Sequence, residues 1–222
     1  MRDFKRITLL CGHYGSGKTN VAVNIALKLR EKSDKIAVAD LDIINPYFRT
    51  KDSSEYFEKA GIRLICSEYA NSNVDIPALP QEMYAVTADT DTKFVLDIGG
   101  DDRGALALGR LAPSIIAEND YEMLLVINMY RPLTPDAEST VEVMREIELA
   151  GKIKFTGIVN NSNLGELTTA EDVLASVNYA NEVSEITGLP IVMTTVKGSL
   201  QNDLQGKIDN LFSLNLQSKI IS

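Results

Sequence analysis

The sequence predicts an α/β protein: a doubly wound, mostly parallel sheet with helices on both faces, folded as a single domain over residues 1–222. Three observations predict it. Apolar runs alternate with amphipathic segments along the chain. The runs are continuous rather than alternating in polarity, as expected of strands covered on both faces. No repeat, low-complexity tract or linker divides the chain.

Taken in order, "ITLLC" (7–11) is the first strand candidate, and "TNVAVNIALKLREK" follows as a helix with Val21, Ile25 and Leu29 on one stripe. "IAVADL" (36–41), "RLIC" (63–66), "FVLDI" (94–98) and "MLLVIN" (123–128) are the next strands. "TPDAESTVEVMREIELAG" reads as a helix opening at Thr134 and Pro135 and closing at Gly151. After the strand "FTGIVN" (155–160), "TTAEDVLASVNYANEVSEITG" carries a capping box from Thr168 to Glu171 and stops at Gly188 before Pro190. "PIVM" (190–193) is the last strand candidate. The segment "LQGKIDNLFSLNLQSKIIS" reads as a helix docking Leu204, Ile208, Leu211 and Phe212 on the sheet. A membrane-surface helix fits it less well, because Lys207 and Lys219 against Asp209 give its polar face little attraction for anionic lipid.

Composition excludes several classes. A formal charge of −9 argues against a broad nucleic-acid interface, which needs a clustered basic face. Two cysteines, Cys11 and Cys66, and one histidine assemble neither a disulfide framework nor a zinc set. The N-terminal apolar stretch is too short for a signal peptide, and no run approaches the ~18–20 apolar residues that span a bilayer. The expectation is a cytoplasmic protein without nucleic-acid partners or stable membrane association.

The chemistry is concentrated in "GHYGSGKT", Gly12 through Thr19, which matches G-x-x-x-x-G-K-S/T and sits between a strand and a helix, where a phosphate loop belongs. Gly12, His13, Gly15, Ser16, Gly17, Lys18, Thr19 and Asn20 are its candidate nucleotide-binding residues. Backbone N–H groups and the helix N-terminus would hold phosphate oxygens, Lys18 would reach the β- and γ-phosphates, and the Thr19 hydroxyl would face magnesium. A glycine-rich turn that binds nothing is the competing reading.

Magnesium needs acids on neighbouring strands. Asp97, at the end of "FVLDIGGDDRG", suits that role, followed by glycines that let a loop respond to a γ-phosphate; an aspartate of an ordinary turn is the alternative. Asp101 and Asp102 read as solvated charges, and Arg103 as a surface pair rather than a transition-state cation. In "VADLDIINPYFR", Asp40 and Asp42 stand two apart where the strand leaves the sheet, one suited to a magnesium-bound water and the other to orienting the attacking water. Tyr47, Phe48 and Arg49 follow them, either as a nucleotide-gated patch or as packed aromatics.

With "GHYGSGKT", "DLD", "DIGG" and "VNN" in this order, the chain resembles the MinD/ParA-like ATPases of the SIMIBI class over roughly residues 5 to 213. That group includes the nitrogenase iron protein and metal-cofactor maturation ATPases. The resemblance implies ATP and magnesium as cofactors, a nucleotide-dependent homodimer and an unidentified protein client. It implies Lys18 and Asp42 as catalytic residues, Asp42 positioning the attacking water. Thr19, Asp40 and Asp97 become the metal set, and Asn160 the reader of the adenine edge. An Asn at a strand end carries the donor and acceptor an adenine edge needs, and "NNSN" lacks the lysine and aspartate of N-K-x-D that would suit guanine.

The chain departs from the family where many members carry a lysine that crosses to the partner's ATP: His13 holds that place, and Tyr14 replaces a glycine. A neutral imidazole supplies no permanent charge at pH 7, so His13 is read either as a phosphate or cross-subunit contact or as a loop-packing residue. Gly104 falls where the iron protein has a cluster-ligating cysteine, and no iron–sulfur cluster is expected. The functional expectation is an ATPase switch acting on a protein partner. A dethiobiotin-synthetase-like phosphotransferase or ligase, and a nucleotide-binding module with negligible turnover, are the alternatives.

Overall fold

The apolar runs become strands of one sheet because helices cover both of its faces. A computed structural model describes residues 2–41, 51–66, 81–100 and 102–215, and the side chains of these except 51–54 and 102–103. The strands are β1 Ile7–Cys11, β2 Ile36–Leu41, β3 Arg63–Cys66, β4 Lys93–Ile98, β5 Tyr121–Ile127, β6 Gly157–Asn160, β7 Ile191–Lys197 and β8 Leu211–Leu214. They form an eight-stranded sheet in the order β3-β2-β4-β1-β5-β6-β7-β8, with every pairing parallel. The helices are α1 Lys18–Arg30, α2 Lys51–Lys59, α3 Ala85–Ala88, α4 Asp102–Glu118, α5 Ala137–Gly151, α6 Ala170–Thr187 and α7 Gln201–Leu204.

Side-chain direction alternates along each strand, so a continuous apolar run feeds two cores. Leu10, Val38, Val95 and Val126 meet Val21, Ile25 and Leu29 of α1 on one face. Leu9, Leu96 and Leu125 meet Leu108 and Leu111 of α4, Ile147 of α5 and Val183 of α6 on the other. Each aliphatic side chain buried this fully stabilises the fold by about 1.5–3 kcal/mol. At the N-terminal ends of the strands, Arg6 is buried. Its guanidinium donates to the carbonyls of Val86 (2.8 Å), Asp89 (2.8 Å) and Thr92 (3.1 Å) and pairs with Glu118, so its charge is compensated.

Helix ends differ from the sequence expectation by a residue or two, for identifiable reasons. α5 is capped by Asp136, whose carboxylate accepts from Ser139 N at 2.9 Å, whereas Thr134 spends its hydroxyl on Asn128 O. The bond from Ser139 N holds the Asp136 carboxyl below its ordinary range. The helix closes at Lys152 in the left-handed region, φ 54°, one residue past Gly151. The capping box of α6 pairs Thr169 with Asp172 rather than Thr168 with Glu171, because the Thr168 hydroxyl is engaged by Leu164 N and Gly165 O. Gly188, φ 71°, ends α6 as expected.

The C-terminal helix expectation is wrong. Leu204, Ile208 and Leu211 have helical spacing, yet α7 stops at Leu204 and the chain turns through Gly206 (φ 79°) and Asn210 (φ 55°) into β8. Leu204, Ile208 and Leu211 pack with Val173 and Val196, while Phe212 meets Phe4 edge-on at 6.4 Å. The open edge of β7 supplies backbone partners from Thr194 to Lys197, which also explains why β7 runs past the predicted "PIVM". Lys219 lies outside the described residues.

Topology places the site. β1 leads into α1 on one face of the sheet, and its neighbour β5 leads towards α5 on the other. Their connections diverge at the C-terminal ends of the strands, which opens a crevice there.

Candidate functional site

The segment between β1 and α1 is held in a curled shape by its glycines. Gly15 (φ 78°) and Gly17 (φ 89°) are left-handed, and backbone turns of this kind make anion-binding concavities. Close approach demands glycine as well: a Cβ on Gly12 would stand 2.3 Å from Val126 O, and one on Gly17 2.3 Å from Asn161 Nδ2. α1 begins at Lys18 with Gly17 as its N-cap, without a side-chain cap and without an acidic residue in its first turn. α5 and α6 both have side-chain caps. The leading N–H groups of α1 therefore keep the anion affinity that caps neutralise in the other two helices.

Inside the loop, Ser16 Oγ is buried without a hydrogen-bond partner among the described residues. The Lys18 ammonium is buried and donates to His13 O at 3.2 Å. These groups fit a polyphosphate: an uncompensated hydroxyl, a cation resting on one carbonyl and an uncapped helix end converge on the same short loop. Beneath them Cys11 is fully buried, and burial pushes its thiol pKa far up in spite of Lys18, so it is a packed, unreactive side chain.

Thr19 joins the loop to the acids. Its hydroxyl donates to Asp97 Oδ2 at 2.6 Å. Asp40 is the register partner of Asp97 across the β2–β4 ladder, so the two carboxylates stand side by side on the α1 face of the sheet, 4% and 1% exposed. Adjacent buried carboxylates repel unless a cation lies near. The donor set, two carboxylates and a hydroxyl beside a phosphate loop, fits magnesium, which binds through one or two carboxylates plus substrate phosphates. Asp42 lies outside the described residues, as do Tyr47, Phe48, Arg49 and Asp101. Asp102 and Arg103 lie in the first turn of α4, outside the described side chains.

Gly100, after β4, presses on the loop. A Cβ on Gly100 would stand 2.6 Å from Gly12 O and 2.7 Å from Tyr14 N, and one on Gly104 would stand 2.7 Å from Gly99 N and O. Position 104 thus takes glycine because the backbone folds against itself there.

The remaining candidates separate. Asn160 is buried and its amide is committed: Nδ2 donates to Ser176 Oγ at 2.9 Å and Oδ1 accepts from Ser162 N at 3.2 Å. The residue that touches the loop is Asn161, which the sequence reading missed. Its Nδ2 donates to Ser16 O at 2.6 Å, and its Oδ1 accepts from the Thr195 hydroxyl. The signal was the Asn doublet at a strand end, since alternation sends the second side chain to the opposite face of the sheet from the first. Asn20 accepts from Asn24 Nδ2 through its carbonyl at 2.8 Å and its Oδ1 at 3.2 Å. His13 is half-buried, with Nδ1 2.8 Å from Tyr14 O, and Tyr14 is 63% exposed at the loop tip.

Asn161→Ala is expected to cost about 1–3 kcal/mol by leaving Ser16 O and the Thr195 hydroxyl without this partner. Chemical denaturation should show that loss, and nucleotide titration should show weaker binding as Gly17 is released. An unchanged denaturation midpoint together with unchanged affinity would reject the strut.

Comparison with known proteins adds the fold. No family model matches the sequence, and no curated protein does. Among solved structures, chloroplast FtsY from Physcomitrella patens aligns at 15% identity and TM-score 0.58, over 87% of this chain and 59% of that one. FtsY from Thermotoga maritima aligns at 17% identity and TM-score 0.58, over 88% and 62%. FlhF complexed with GMPPNP and Mg(2+) aligns at 17% identity and TM-score 0.51, over 88% and 67%. The chain spans about three fifths of the length of the two FtsY chains. The likeness is one of fold and matches the α/β phosphate-loop NTPase architecture. Among the described residues, no helix is long and apolar enough to cross a membrane.

Proposed function

We propose that this protein binds ATP with magnesium and hydrolyses it to drive a conformational or dimerisation switch on a protein partner. The observation that carries the reading is the Thr19–Asp97 hydrogen bond at the root of an uncapped helix N-terminus, with Asp40 alongside. Lys18 and the loop N–H groups hold the polyphosphate. Thr19, Asp40 and Asp97 would hold magnesium, which when bound would neutralise phosphate charge as the γ-phosphoryl group passes to water and the diphosphate leaves. Asp42 is assigned the orientation of the attacking water, by the resemblance to MinD/ParA-like ATPases.

The switch reading draws on Gly100. Because the segment after β4 touches the loop backbone, a change at the γ-phosphate position is felt by α4 through a glycine hinge. Exposed Tyr14 at the loop tip and Leu133, 62% exposed on a cleft shared with His13, offer apolar contacts for a second copy or a client beside the nucleotide.

Guanine is the competing base, supported by FtsY from Elizabethkingia anophelis, solved in complex with GDP, and by FlhF with GMPPNP. The absence of an N-K-x-D segment in "NNSN" favours adenine here. The test is phosphate release from ATP and from GTP with and without magnesium, alongside light scattering in each nucleotide. Magnesium-dependent release from ATP and a rise in mass with ATP but not ADP are expected. Turnover of GTP alone would overturn the base assignment, and an unchanged mass would overturn the dimer switch.

A further inference from the structure

A second cation stands over the phosphate loop, outside the pattern that defines it. Arg131 follows β5, the strand beside β1 in the sheet, and lines a cleft with Gly17 and Asn20. Its side chain lies across the loop: a Cβ on Gly15 would stand 3.6 Å from Arg131 Cδ and Nε and 4.0 Å from Cζ. Arg131 Nε is buried without a hydrogen-bond partner, and the guanidinium has no ion pair among the described residues. In a chain with a formal charge of −9 that is an unusual position for an arginine. Lys197 lines the same cleft beside Gly17 and Asn20, but it is paired with Glu166. Arg131 is therefore the cation of this cleft whose charge the described residues leave uncompensated.

Resting on the nucleotide-binding reading, we infer that Arg131 is a nucleotide-binding residue whose guanidinium closes over the polyphosphate held by the loop. An arginine fork pairs with phosphate oxygens through parallel N–H donors, and such charge-assisted bonds are worth about twice neutral ones. The position across Gly15 puts that fork at the mouth of the concavity, opposite Lys18 at its base. A cation there contributes to binding of any nucleoside polyphosphate whatever its base, and packing over Gly15 keeps the side chain preorganised before the ligand arrives.

The experiment titrates magnesium–ATP, magnesium–GTP and magnesium–tripolyphosphate into wild type, Arg131→Ala and Arg131→Lys, with thermal melting of each ligand-free protein. Expected for Arg131→Ala is a loss of at least about tenfold in affinity for the nucleotide and for tripolyphosphate alike. Arg131→Lys, which keeps charge but loses the fork, should fall between. If Arg131→Ala binds all probes as wild type does, or loses affinity for the nucleotide and none for tripolyphosphate, the polyphosphate contact is overturned. If Arg131→Ala does not fold, a wild-type-like affinity in Arg131→Lys with no steeper salt dependence removes the proposal. A wild-type protein that binds none of the three probes overturns the nucleotide-binding reading itself, a result distinct from failure at Arg131.

Discussion

Lys18→Ala is expected to lower triphosphate turnover at least about 100-fold, the size of loss seen when one preorganised charge stabiliser is removed from a transition state. Lys18 is 5% exposed, and its ammonium donates to a carbonyl, His13 O, at 3.2 Å. A buried cation held by a neutral acceptor is poorly compensated. The fold accepts that cost at a position the proposed function assigns to an anion, so removing the charge should not destabilise the ligand-free protein. Phosphate release and thermal melting measured on the same preparation separate the two effects. Near-normal turnover in a folded Lys18→Ala protein would show that the loop is not the reaction site.

Gly100→Val tests the contact between the segment after β4 and the loop. Its Cβ would meet Gly12 O at 2.6 Å, Tyr14 N at 2.7 Å and His13 C at 2.9 Å, all backbone atoms that no rotamer change can move aside. Either the loop or the segment after Ile98 must shift. Overpacking of this kind typically costs about 1–3 kcal/mol, so the sheet should persist with a lowered denaturation midpoint. Turnover should fall at least about 100-fold, because reacting groups displaced by an ångström lose that much. Turnover and midpoint both close to wild type would mean that the two segments move independently, and the route from nucleotide to α4 would have to be abandoned.

The two variants act on different kinds of residue, and the difference tracks what could be read from the chain. Lys18 was legible in its place because that follows from spacing: a glycine pattern between a strand and a helix sets it at the first position of α1. Asp97 and Asp40 were legible for a similar reason, as carboxylates where apolar runs stop. Gly100 was noticed only as a flexible neighbour of Asp97. Its close packing against Gly12 and Tyr14 joins residues nearly ninety positions apart, and no local pattern encodes that distance.

The misreadings have the same origin. Leu204, Ile208 and Leu211 satisfy a helical period, but the free edge of β7 competes for the backbone that follows and draws Leu211–Leu214 into the sheet. Thr168 and Thr169 are equivalent as caps until Leu164 N and Gly165 O engage the first of them. Asn160 and Asn161 carry the same chemistry. The pleat assigns one to Ser176 and the other to Ser16 and Thr195.

The sequence by itself determined the parallel α/β class and the glycine loop between β1 and α1, because these depend on periodicity, on glycine conformations and on residue types a few positions apart. The tertiary structure decided which carboxylates face each other, which Asn braces the loop, which glycine touches it and that Arg131 lies across it. Those are contacts between strands and loops distant in the chain, fixed by sheet order and register, and their energies exist only once the sheet has formed.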